Sequence, residues 1–312
     1  MAYTSFAPVD IDELLSQIDS FASGQLGWGS SYSGGVLTLT PIASGTEFDL
    51  YEAAGYGAAD NGQWIYIDMR DPNDATNQVA AAMSHISSTS LAWLYGGNTT
   101  EPWLLITVLT EPGVYRHAFV GYLAKYGTWA GGAVCSAINW SHRTTSTPAT
   151  YTNASNRLLF SFVSSYGAIN NELGKTGGVL LDGVHGDRPR ALFASASTYT
   201  SGGHDYDATH PRAGGGYRDD YAERVRDPGV MPLSGEAALV PITLFADMLR
   251  NDTWTPIGHV PGLRMVNVAN LDPEQAYTYA GLTWKIFPLC RKADATDDFG
   301  TADLGIAVLQ EA

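Results

Sequence analysis

Charge is scarce in this chain of 312 residues: Asp, Glu, Lys and Arg make up 16%, against about 25% in an ordinary soluble protein. The charge present leans acidic, with 32 carboxylates against 17 lysines and arginines and a formal net charge of −15. Such a surface has few cations to displace counterions from phosphates, which argues against specific nucleic-acid binding. It argues equally against docking on an anionic membrane. Cysteine is almost missing, with only Cys135 and Cys290. Their spacing fits no zinc or redox motif, and both read as small buried hydrophobes. No apolar run approaches the roughly 18 residues of a membrane helix, so no membrane span is expected. Residues Met1 to Pro8 carry neither the basic nor the apolar region of a secretory signal. The expectation is a protein made in a cytoplasm and soluble until it meets partners.

Mechanism-bearing motifs are missing too. There is no G-x-S-x-G elbow for a serine nucleophile. No P-loop occurs, and no G-x-G-x-x-G follows a strand, so nucleotide binding has no support. Two histidines and two carboxylates, His204, Asp205, Asp207 and His210, fall within seven residues and have the donor types of a divalent-metal site. They match no metal-loop spacing, and the glycines around them suit an arm. Asp182, His185 and Asp187 follow an apolar strand, where a carboxylate and a histidine can be catalytic. Asp and Gly are also what a tight turn contains, and the turn is the reading adopted. Adjacent pairs such as Asp219-Asp220 and Asp297-Asp298 point to opposite sides when extended, so neither is an acid–base pair by local geometry. Asn98 and Asn153 begin glycosylation-type triplets that mean nothing without a secretory signal. No catalytic, cofactor-binding or metal-binding residue is therefore assigned.

What the chain does have is 34 glycines and 11% aromatic residues, a composition suited to strands, tight turns and protein-covered surfaces. The tryptophans Trp28, Trp64, Trp93, Trp103, Trp129, Trp140, Trp254 and Trp284 read as core or interface anchors, with a sugar platform as the other possibility. One helix stands out. Asp10 caps it, Glu13 completes a capping box, and Ile11, Leu14, Leu15, Ile18, Phe21 and Ala22 share one face. Gly24 is expected to end it.

Beyond the helix the period is two. Strands are expected at 36–40, 46–53, 63–70, 103–110, 114–126, 158–163, 178–181, 190–195, within 237–248, at 263–268, 282–289 and 304–309. Residues 75–94 fit helix or strand. Glu111-Pro112-Gly113 signals a turn, and Pro261-Gly262 a type II turn. Pro256 and Pro261 argue against a central strand over 254–263. Gly131-Gly132 suits close backbone approach or a turn. The fold class expected is mainly β, with sandwich or barrel-like sheets, a short N-terminal helix and long loops. The weakest boundary, 144–156, divides a helix-plus-β region at 1–143 from a β region at 144–312. A long loop at 200–236 falls in the second part, and one continuous domain is equally open.

Three segments resemble tailed-bacteriophage virion proteins. His117–Gly132 (HAFVGYLAKYGTWAGG) is similar to a stretch of phage structural proteins. Ile257–Arg264 (IGHVPGLR), followed by Thr283–Pro288 (TWKIFP), is similar to their C-terminal block. The third is the N-terminal helix leading to Gly27-Trp28 and Leu37-Thr38-Leu39. The resemblance implies a virion structural protein of the viral tail, neck or baseplate, assembled as a ring or trimer with other virion proteins. It implies no cofactor and carries over no site residue. The expected function is assembly without catalysis. A glycan-binding or glycan-cleaving β protein, and a metal-dependent hydrolase using His204 to His210, are the alternatives.

Overall fold

Secondary structure follows from the two periodicities in the sequence. The computed structural model describes residues 1–42, 45–54, 63–71, 74–83, 91–98, 100–138, 159–160, 177–182, 190–192, 237–247, 254–289, 292 and 304–311. The helix α1 spans Ile11–Gln25, and its six predicted apolar residues are all buried. Asp10 accepts from the Glu13 N–H at 2.8 Å, and Glu13 reaches back to the Val9 N–H at 2.7 Å. These bonds satisfy donors that a helix start leaves unpaired, and Asp12 and Glu13 favour the positive end of its dipole. Gly24 does not end the helix. The chain turns two residues after its end, at Gly27, whose φ is 66°.

A strand precedes the helix, contrary to the sequence reading. This β1 (Ala2–Phe6) pairs with β7 (Leu91–Gly97). The central sheet continues through β8 (Trp103–Glu111), β9 (Val114–Tyr122), β11 (Ala130–Ala137), β12 (Gly177–Asp182) and β13 (Arg190–Leu192), all antiparallel. Five strands form a helix-side meander: β2 (Gly29–Ser33), β3 (Val36–Thr40), β4 (Glu47–Ala54), β5 (Gln63–Asp71) and β6 (Asp74–Met83). Within the ambiguous 75–94 region, residues 75–83 and 91–94 are strand, in β6 and β7, and 84–90 lie outside the described residues. The C-terminal sheet orders β10 (Ala124–Lys125), β15 (Trp254–Asn267), β18 (Leu304–Glu311), β17 (Leu282–Pro288) and β16 (Ala276–Tyr279), with β14 (Val240–Asp247) also on β15.

The three sheets stack in layers with the central sheet in the middle. One face of it, carrying Trp93, Trp103 and Phe119, shares a core with Leu263, Phe287 and Ile306 of the C-terminal sheet. The other face, carrying Leu94, Leu104 and Val120, packs on Leu15 and Ile18 of the helix and on Phe48 of the meander. Burial on both faces explains why β8 reads as a nearly continuous apolar run instead of an alternation. The fold is mainly β, with one short helix among the described residues, as the composition and patterning predict. The 200–236 loop and the 144–156 boundary lie outside the described residues. Strands β12 and β13, beyond residue 143, belong to the same sheet as β1 and β7.

Two further expectations are corrected. The 254–263 segment is part of β15, a central strand of 14 residues. Its prolines are tolerated because they sit where ladders are interrupted. Pro256 flanks a register shift against β14, and Pro261 falls between the partners β10, at 258–259, and β18, at 263–267. Pro261-Gly262 is accordingly a kink inside a strand and not a turn. The predicted strand over 158–163 is a turn at Leu159 and Phe160, with Phe160 at φ 67° and its N–H held by Ser136 Oγ at 2.8 Å. Residues 158 and 161–163 lie outside the described residues.

Candidate functional site

A buried polar cluster lies between the central and C-terminal sheets. It is built on β8 and β9, a hairpin closed by Pro112-Gly113, with Gly113 at φ 76°. That turn, with a register shift at Thr110, sets Thr107 opposite His117. Their side chains meet at 2.9 Å (Thr107 Oγ1 to His117 Nδ1), and both residues are fully buried. His117 Nε2 lies 2.8 Å from the carbonyl oxygen of Pro288, at the end of β17 in the other sheet. A carbonyl only accepts, so Nε2 carries the proton. Nδ1 is then the acceptor for the Thr107 hydroxyl. Burial pulls this imidazole down to about 4 from its ordinary 6.5; the Arg116 charge acts the same way, and the Pro288 carbonyl opposes both. The ring is neutral at neutral pH, with both nitrogens engaged. Its chemistry is to hold two sheets in register.

Aromatic packing surrounds this bond. Phe287 presents its edge to Trp93, Tyr115 and His117, at 5.3, 5.7 and 6.1 Å between centroids. Tyr115 also crosses between the sheets, its hydroxyl donating to Glu274 Oε1 at 2.8 Å. Burial, then the Glu274 carboxylate, raise the Tyr115 hydroxyl well above the ordinary phenol range.

The chain itself crosses between sheets a few residues further on. After β9 it enters β10, which pairs with β15 at His259 and Gly258. The Tyr126 N–H donates to the Ile257 carbonyl at 2.9 Å, and Trp129 Nε1 to the same oxygen at 3.2 Å. Lys125 closes the return, donating to the carbonyls of Trp129 and Gly131 at 2.9 and 3.2 Å, with its ammonium 5.2 Å from the Trp129 ring centre. Gly131 and Gly132 then take φ values of 85° and 103° in a bulge of β11. The close approach foreseen for them is real: a Cβ on Gly132 would meet Lys125 Cδ at 3.0 Å. Trp103 lies so tightly on Gly262 that a Cβ there would come within 2.0 Å of its ring.

Of the sequence candidates, His204, Asp205, Asp207 and His210 lie outside the described residues, as do His185, Asp187, Asp219-Asp220, Asp297-Asp298, Asn153 and Cys290. Asp182 ends β12. Asn98 is exposed, and Cys135 is buried. Among the described residues no group of three or more His, Cys, Asp or Glu is placed to hold a metal ion. Trp28, Trp64, Trp93, Trp103 and Trp284 are buried, so they offer no open sugar platform. Trp129 is half-buried; Trp140 and the Trp254 side chain lie outside the described residues. Sequence reasoning gave no role to Thr107 and His117. Part of the signal was there, since two polar residues interrupt apolar strands around a two-residue loop. That loop alone would set Thr107 opposite Ala118, and the register shift at Thr110 that pairs it with His117 is seen only in the structure.

Two of the three segments singled out in the sequence meet here. His117–Gly132 forms the crossing, Ile257–Arg264 receives it, and Thr283–Pro288 supplies Phe287 and the Pro288 carbonyl. The N-terminal segment lies on the opposite face of the central sheet, in the core with α1. Fold and junction together define a layered, mainly β protein. Among known proteins, no family model and no curated sequence matches the chain. No described helix is long and apolar enough to cross a membrane.

Proposed function

We propose that this chain is a structural subunit of a tailed-phage particle, in its tail, neck or baseplate. It works by packing against other virion proteins and copies of itself, without turnover. It is made in the host cytoplasm and retained in the virion. The observation that carries the reading is where the resembling residues lie. Two of the three segments, far apart in sequence, build one inter-sheet junction, so the resemblance concerns architecture and not a portable motif. The low charge density and the acidic surface fit the same reading, since such a surface neither grips DNA nor resists burial against protein. Gold-labelled antibody against the chain should decorate purified particles at one station by electron microscopy. Particles that lack the chain by labelling and by mass spectrometry would remove the reading.

A further inference from the structure

Each of the three sheets has one edge strand with no charged side chain: β1 (AYTSF), β2 (GSSYS) and β16 (AYTY). An edge strand offers unpaired backbone donors and acceptors, and proteins ordinarily blunt it with lysine, proline or a bulge. β1 has none of these, and its ladder to β7 runs without a register shift. β2 and β16 are more encumbered. Ser30 and Tyr32 of β2 bond to α1 at Asp19 and Asp12, and Tyr277 of β16 holds the backbone of Ala237. On β1, by contrast, Tyr3 is 49% exposed and Ser5 is exposed. Tyr3 is held by stacking on Tyr95 at 5.9 Å. Among the described residues, β7 is the only strand paired with β1.

We infer that β1 is a docking edge for the β1 strand of a second copy, joining two central sheets across a two-fold axis. The inference rests on the subunit reading and names one of its contacts. A strand meeting its own copy antiparallel pairs with itself in reverse order. Centred on Thr4, the register sets Tyr3 opposite Ser5 and Ala2 opposite Phe6, with the two Thr4 residues facing. No charge faces a like charge in this arrangement, and threonine pairs across strands are favourable. Five residues bury less than a standard interface, so the contact is weak unless other surfaces add to it. Each copy carries a net charge of −15, which opposes approach. Added salt screens that repulsion and strengthens pairing, the reverse of an interface built on ion pairs.

Sedimentation of the full chain up to about 100 μM, at physiological and raised salt, tests this. The wild type should dimerise, more so at raised salt. Tyr3→Lys/Ser5→Lys and Tyr3→Glu/Ser5→Glu should each weaken the dimer at least about tenfold by setting like charges face to face. An equimolar mixture of the two should recover it, because each introduced lysine then faces an introduced glutamate. Recovery on mixing also shows that both variants are folded. A wild type that stays monomeric throughout, variants that associate like it, or a mixture that fails to recover would each overturn the inference. The subunit reading is judged separately by particle labelling: a chain found in particles but with an inert β1 sinks only the docking edge.

Discussion

At the scale of single residues, His117 gives the sharpest prediction. Its folded value, near 4, lies below its ordinary 6.5, so the unfolded chain takes up a proton first. Stability from keeping the ring neutral is complete above 6.5 and is lost as pH falls toward 4. The loss should be on the order of 3 kcal/mol. His117→Gln keeps an amide donor and acceptor but does not titrate. Urea unfolding across this range should show the wild type losing more stability than the variant. Equal slopes would mean that the ring is solvated in the native state. Gly262 and Gly113 make a second pair. Both have positive φ, 70° and 76°, but a Cβ on Gly113 meets nothing within 4 Å, whereas one on Gly262 strikes the Trp103 ring. Gly113→Ala should cost about 1–2 kcal/mol of strain. Gly262→Ala adds overpacking and should cost about 3 kcal/mol or more. Denaturation midpoints in the reverse order would contradict the packing.

At the scale of elements, the helix was legible in its start and its buried face, though not in its end, because those determinants are local. The cap, the capping-box glutamate and the apolar stripe lie within 13 residues, Asp10 to Ala22. Asp10→Ala should cost about 1 kcal/mol, visible as a lowered melting temperature with the fold unchanged. Most strands were legible for the same reason: their alternation and turn residues are adjacent in sequence. β1 was not, because its partner among the described residues is β7, some ninety residues away, and five mixed residues carry little pattern. β15 was misread because two prolines argue against a ladder, and only the positions of β10, β14 and β18 show where the ladder breaks.

At the scale of the whole molecule, acidity and layering act together. The isoelectric point is about 4.7, and repulsion between copies fades as pH approaches it. The inter-sheet bond through His117 is weakened over the same range. Light scattering should therefore rise, and near-ultraviolet circular dichroism should fall, as pH drops from 6.5 to 4. A clear solution with unchanged aromatic signal through the isoelectric point would count against this coupling.

The sequence by itself determined the β-rich class, the capped helix, most strands and the acidic, weakly charged surface, because each is written in neighbouring residues or bulk composition. Only the tertiary structure decided which strands adjoin, that β8 is covered on both faces, and that Trp103 needs a glycine at 262. It alone brought His117, Thr107 and Pro288 within hydrogen-bond reach. These are contacts between residues distant in the chain, selected by how whole sheets stack, and no local pattern encodes them.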